Sequence, residues 1–395
     1  MWTMSLVVSV LVALAMVSPA WAQAQPVKIG FLSSLSGPFA FWGVNARDGM
    51  KMAIAEINAA GGVLGRPLEL VERDDRNSPA ESMTALRYLV EREGVLAAGG
   101  VISSDVALAV SREGESLNVP AFLTMAGSDA ILKRASRFTF RTCIPAAPTT
   151  MEPIAAMIRE RKYTRIGAVV ADYAWGHAIR EAFERIIATL PGVRTQLEVA
   201  PVPERDFTPY LRKLQRLDPE LIVAAGHPPG NPTIVRQAAE LGLAAPVVGS
   251  WLPPEVMVQR GGDAIYGRFV DYSCVDFDDP AYQRLAARFH AGFKRYFDNS
   301  AFSGYVIVKT VAEAARRANS VDPKAVAAAI RSGRFTHEGF GWPLSYTEWG
   351  EMKEARPIMF TYEKGEAPGG INPGAGWRQK ALFRSPTVQP HVPRE

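Results

Sequence analysis

The sequence predicts an α/β protein built on parallel, doubly wound sheets. Three observations predict it. Short apolar runs alternate with amphipathic helical segments from residue 27 to residue 273. Several runs, 166–171 and 221–225 among them, are apolar without alternation, as strands covered on both faces are. The rhythm restarts after an irregular stretch at 127–150, which gives two successive units of similar size.

Taken in order, a strand at 27–32 runs into a Ser/Gly/Pro turn at 33–38. The helix at 44–59 sets Met50, Ala53, Ile54 and Ile57 on one stripe, and Gly61-Gly62 ends it. Strands follow at 68–72, 96–102 and 121–125, with helices at 79–93 and 105–117 between them. The second unit reads helix 151–161, strand 166–171, helix 177–188, strand 197–202, helix 207–217, strand 221–225, helix 233–241 and strand 247–249. From residue 267 the rhythm changes. A strand at 268–273 precedes three helices (280–297, 302–318, 323–331). A Gly-rich β segment at 339–362 comes next, and the Pro- and Gly-rich tail at 371–395 is expected to be irregular. In sheets of this kind ligands bind at the carboxyl ends of strands, so the polar, aromatic loop after the first strand is the first place to look for a site.

The chain has 395 residues, and at about 150 residues per domain that allows two or three domains. Hydrophobic residues make up 48% and charged residues 21%, ordinary proportions for a globular protein. The net charge of +4 is spread over helix faces, with no basic run, so no nucleic-acid partner is expected. Residues 6–17 are apolar, and Ala20-Trp21-Ala22 is a small-x-small cleavage site before Gln23. That apolar run is too short to span a bilayer, so residues 1–22 read as a cleaved secretion signal.

Catalytic signatures are missing. There is no P-loop, no G-x-G-x-x-G after a strand, no H-E-x-x-H and no G-x-S-x-G. The five histidines are not at metal-ligand spacing. Asp74-Asp75 is the best acidic pair. Neighbouring strand residues point to opposite faces, so a strand-end structural role suits the pair better than catalysis. The expectation is a non-enzyme with no metal and no cofactor.

Residues 28–75 resemble the opening of the type I periplasmic solute-binding proteins of the leucine/isoleucine/valine-binding family. The likeness rests on Ser36-Gly37-Pro38, Trp42-Gly43, Ile57-Asn58-Ala59-Ala60-Gly61-Gly62 and Asp74-Asp75. It continues through 99–104, 166–176, Asp206-Phe207, 236–249 and 347–362. The resemblance implies two doubly wound lobes joined by three crossover hinge segments. Lobe one would be 26–141 plus 273–335, and lobe two 142–272 plus 336–370. It also implies a periplasmic monomer that captures a small solute by hinge closure and delivers it to the permease of an ABC transporter.

Carried over residue by residue, the resemblance makes Ser103 and Ser104 contacts for a ligand carboxylate. Their place at a helix N-terminus suits an anion. The second carboxylate contact falls around Met125, Gly127 and Ser128. Two family tyrosines fall on Trp175 and His227. The acidic residue that grips an amino-acid ammonium falls on Trp251, and Trp42 adds a third tryptophan. A buried ammonium without a counter-charge costs several kcal/mol. The expected ligand is therefore an apolar or aromatic carboxylate rather than a standard amino acid. Binding of branched-chain amino acids or amides, and a ligand-sensing role on the same fold, are the alternatives. The family's usual lobe-one disulfide positions are Asn77 and Ile102 here, so that bridge is gone. Cys143 and Cys274 follow two crossover strands of the implied hinge, where they are either a disulfide or two buried thiols.

Overall fold

The apolar run of the opening segment becomes β1 (Val27–Ser33), almost wholly buried. In this computed structural model residues 25–394 are described, and the expected secretion signal lies outside the described residues. α1 (Ala40–Ala59) follows and buries Met50, Ala53, Ile54 and Ile57, as their helical spacing requires. Next come β2 (Leu68–Asp74), α2 (Pro79–Glu91), β3 (Ala98–Val101), α3 (Ser104–Leu117), β4 (Ala121–Leu123) and β5 (Thr139–Arg141). The five strands make one parallel sheet in the order β2-β1-β3-β4-β5.

The chain then builds a second sheet. Its elements are α4 (Ala147–Arg161), β6 (Arg165–Ala171), α5 (Ala174–Ile187), β7 (Arg194–Ala200), α6 (Thr208–Gln215), β8 (Leu221–Gly226), α7 (Asn231–Glu240), β9 (Val247–Val248), α8 (Pro254–Gly261) and β10 (Phe269–Ser273). The chain returns to the first sheet's side for α9 (Pro280–Phe293), α10 (Asn299–Ala318) and α11 (Pro323–Ser332), with α10 lying along α1. A two-stranded ribbon, β11 (Arg334–Phe335) with β12 (Leu344–Ser345), leads back to β13 (Ile358–Lys364) and β14 (Trp377–Arg384). The second sheet has seven strands in the order β14-β13-β10-β9-β8-β6-β7. β13 and β14 run antiparallel at one edge.

Both sheets contain the same reversal. β1 and β3 are neighbours with β2 outside, and β6 and β8 are neighbours with β7 outside. At such a switch point the loops leave in opposite directions and open a crevice at the strand ends. The fold therefore supplies two crevices, and they face each other.

Three passages join the halves, and they are tied together. Cys143, after β5, and Cys274, after β10, form a disulfide with both residues buried. In the third passage Glu351 accepts from the Arg141 Nε at 2.8 Å, and both side chains are fully or almost fully buried. Arg141 donates further to the carbonyls of Ala126 and Ser128. Burial holds the Glu351 carboxyl above its ordinary range, against the pull of Arg141.

Two expectations are corrected here. The tail at 371–395 is not irregular throughout, because residues 377–384 form β14 along β13. The Pro- and Gly-rich stretch at 365–376 is the turn that brings it there. Trp377 anchors the strand by packing 5.2 Å from Tyr296 and 6.0 Å from Tyr362. Conversely, the β segment read at 339–362 holds only β12 and the start of β13. Asp74 and Asp75 each brace the loop after β1. Asp74 accepts from the Leu35 N–H and the Ser36 hydroxyl, and Asp75 from the Ser34 hydroxyl.

Candidate functional site

The two facing crevices enclose an aromatic cage. The loop after β1 and the first turn of α1 contribute Phe39 and Trp42, and the loop after β6 and the first turn of α5 contribute Tyr173 and Trp175. Trp251, three residues past the end of β9, is the fifth ring. Ile102, Met125, Ile144 and Pro228 fill the gaps between rings, and Tyr173, Ser104 and Ser250 are the hydroxyl-bearing members. Water centres fit over about 30 Å³ of it, within about 340 Å³ of atom-free space. That is room for about two waters, so the lobes are drawn together on a nearly filled site.

Two glycines set two of the tryptophans. A Cβ on Gly43 would lie 1.9 Å from the Ser34 carbonyl, and one on Gly176 would lie 1.9 Å from the Ala171 carbonyl. Without side chains there, the first turns of α1 and α5 press against the ends of β1 and β6. Trp42 and Trp175, each one residue earlier, are thereby fixed at the mouth of their crevices. The Trp175 indole N–H donates to the Ala225 carbonyl at 2.9 Å, and its ring covers Gly127 of the other lobe.

Trp251 is held differently. Its φ is +58°, a left-handed conformation that a bulky residue adopts only when its surroundings impose it. Asp271 on β10 accepts its N–H at 2.5 Å, and also those of Leu252 and Tyr272. The Trp251 carbonyl accepts from the Trp42 indole N–H at 3.0 Å, a bond across the two lobes. The Trp251 ring stacks on Tyr272 at 5.4 Å. Burial pushes the Asp271 carboxyl up to about 7, although the three N–H donors oppose that rise. Its oxygens accept from these three backbone N–H groups, and it does not line the cage.

No residue lining the cage carries a charge. What the site offers is hydrogen-bond donors. The Trp251 indole N–H and the Ser103 hydroxyl are buried with no partner in the protein, and an indole N–H can only donate. The N-termini of α3 and α5, with Ser103 and Tyr173 as N-caps, both open toward the cage. The Asp105 carboxylate, next to the serines, accepts from the Ala174 N–H at 3.2 Å, capping α5 from the opposite lobe.

Of the residues singled out in the sequence, the structure brings Trp42, Ser104, Met125, Trp175 and Trp251 together around the cage. Ser103, Gly127 and Ser128 sit directly behind it. Ser103 stands at the N-cap position of α3 with its hydroxyl unbonded, Gly127 backs the Trp175 ring, and the Ser128 N–H donates to the Ser104 hydroxyl. His227 is a correction. Its ring accepts from the Gly230 N–H, bonds the Pro201 carbonyl and meets Phe207 edge-on at 4.9 Å. Those three contacts turn it away from the cage, and its neighbour Pro228 takes the lining position. Phe39, Tyr173, Ser250 and Asp271 were missed. The first two flank the recognised tryptophans in their loops, which was the available signal. Among the described residues no group of three or more His, Cys, Asp or Glu is placed to hold a metal.

Comparison with known proteins places this geometry. A family model described as periplasmic binding protein matches residues 26–360. A Leu/Ile/Val-binding protein homolog of Brucella abortus is 25% identical over 349 residues, covering 88% of this chain and 92% of its own. Two solved structures share the fold. A fatty acid ABC transporter substrate-binding protein from Thermomonospora curvata has a TM-score of 0.81 at 19% identity, covering 93% of this chain and 95% of its own. A solute-binding protein of an R. palustris ABC transporter, in complex with benzoate, has a TM-score of 0.78 at 20% identity, covering 93% and 99%.

Proposed function

The chain belongs to the periplasmic binding protein family, and from that premise we propose that its cargo is a small apolar or aromatic carboxylate without an ammonium group. Members of the family are the solute-capturing, non-enzymatic components of ABC import, working in the periplasm with a membrane permease. The one observation that carries the cargo reading is the absence of charge among the cage's lining residues.

An α-amino acid would bring both a carboxylate and an ammonium into that space. The carboxylate has donors in Ser103, Ser104, the Trp251 N–H and the N-terminus of α3, while Asp105 already caps α5. The ammonium would find no charged partner among the lining residues, since Asp105 and Asp271 both lie outside that lining. Five aromatic rings favour a flat apolar body by area and by stacking. Relatives of this chain are named for branched-chain amino acids, and fold neighbours are named for leucine and isoleucine as well as for fatty acids and benzoate. The fold accommodates all of these, and the side chains of the cage decide between them.

A thermal-shift panel of aromatic acids, alkanoates, amino acids and amides tests the reading, since a ligand specific to the native state raises its apparent stability. Benzoate-type acids are expected to raise the melting temperature and amino acids to leave it unchanged. A shift with leucine and none with any acid refutes the proposal.

A further inference from the structure

The cage is not the only hollow between the lobes. A groove lies at the edge of the cleft, walled by Pro38 and Phe41 on one side and by Pro203, Pro253 and Arg260 on the other. Water centres fit over about 600 Å³ of it, against about 30 Å³ in the cage. Among the described residues, one side chain lines both spaces, and it is Trp42. Elsewhere the boundary runs between consecutive residues. Pro228 and Trp251 face the cage, while Pro229 and Leu252 face the groove.

The Trp42 indole is thus the partition. It is 4% exposed and packed between Phe39 at 5.7 Å and Phe41 at 6.1 Å. Its N–H is fastened to the Trp251 carbonyl, so the ring cannot swing aside without losing a buried bond. On the groove side the Arg260 guanidinium lies 4.7 Å from the Phe41 ring centroid, closing the lobes outside the partition as well.

We propose that Trp42 sets the length of the cargo. An acid held at Ser104, with the lobes parted enough to admit it, fits when its apolar body ends at the indole. A longer body must displace the indole to reach the groove, and is rejected. The inference rests on the carboxylate reading above and adds a size class to it, namely single-ring or similarly short acids. Removing the ring joins cage and groove, so longer bodies gain a channel between the lobes.

The experiment is calorimetric titration of the wild type, Trp42→Ala and Trp42→Leu with benzoate, phenylacetate, phenylpropanoate and phenylbutanoate. In the wild type, affinity is expected to fall by about tenfold for each methylene beyond the limit, in line with methylene discrimination in apolar pockets. In Trp42→Ala the ratio of benzoate to phenylbutanoate affinity is expected to shrink toward one, even where lost stacking weakens every ligand. Trp42→Leu keeps an apolar side chain in the core, guards against a misfolded alanine variant and should shift the limit partway. A wild type that binds all four acids equally overturns the inference, as does a length limit unchanged in both variants. Wild-type binding of none of the four, with leucine bound instead, overturns the carboxylate reading itself and is distinguishable from those outcomes.

Discussion

The hinge and the mouth of this molecule are held shut by different kinds of interaction. At the hinge, a disulfide joins two passages and a dry Arg141–Glu351 pair fixes the third. At the mouth, the lobes meet through the Trp42 bond to the Trp251 carbonyl, the Asp105 bond to the Ala174 N–H and the Phe39–Tyr173 contact at 6.0 Å. The hinge contacts are ones whose loss leaves a buried charge or a freer unfolded chain. The mouth contacts are single hydrogen bonds and ring edges, each replaceable by water or by a ligand. Under the proposed function, opening would break the weak bonds at the mouth while the hinge stays assembled.

That contrast predicts a gradient of mutational effects. Glu351→Ala leaves the Arg141 charge buried and unpaired, and should lower unfolding stability by about 3–5 kcal/mol, measured by urea denaturation. Ligand affinity should change little in the same variant. Replacing Cys143 and Cys274 by serine should cost about 2–4 kcal/mol, again with affinity nearly intact. Because both sulfurs are buried, intact folded protein should keep its disulfide in reductant and lose it only after unfolding, as mass measurement will show. If either hinge change abolishes binding while leaving stability alone, the contrast fails.

Asp271→Asn acts at the mouth. It leaves one buried N–H unpaired, at about 1–3 kcal/mol, and frees Trp251 from its left-handed conformation. Ligand affinity should drop by about tenfold, the equivalent of about 1.4 kcal/mol. This variant also carries a pH signature. The carboxyl is held at about 7 in the folded state against an ordinary 3.8. Between those values the folded protein binds the extra proton, so this group's contribution to stability falls as pH rises through that window. Asp271→Asn should remove that part of the pH dependence, and an unchanged pH profile would contradict the assignment. Trp42→Phe loses the indole N–H bond to the Trp251 carbonyl, at about 0.5–1.5 kcal/mol, together with the packing of the indole's second ring. It should speed lobe opening, measured by ligand dissociation rate, more than it lowers the melting temperature.

Much of the fold was legible because burial writes directly into sequence. Unbroken apolar runs such as Ile166 to Ala171 lie in a sheet covered on both faces, and the Met50–Ile57 stripe faces the core. Trp42-Gly43 and Trp175-Gly176 were legible through the family resemblance, and the structure adds the reason for their glycines, a helix pressed against a carbonyl. Other features were not. β14 forms because β13 offers an open edge and Trp377 finds Tyr296, which are long-range facts absent from residues 377–384 themselves. His227 and Pro228 are adjacent in sequence, and only the contacts with Pro201, Gly230 and Phe207 decide which of them faces the cage. Asp271 lies 20 residues from Trp251 in sequence, so nothing local announces the clamp.

The central claim is that this cage accepts a carboxylate and refuses an ammonium. The most direct measurement is a calorimetric titration of the mature protein with leucine and with isocaproate, which is leucine without its ammonium, alongside benzoate. The account predicts that isocaproate and benzoate bind and that leucine binds at least about a hundredfold more weakly, given the cost of an unpaired buried charge. Leucine binding more tightly than isocaproate would contradict it.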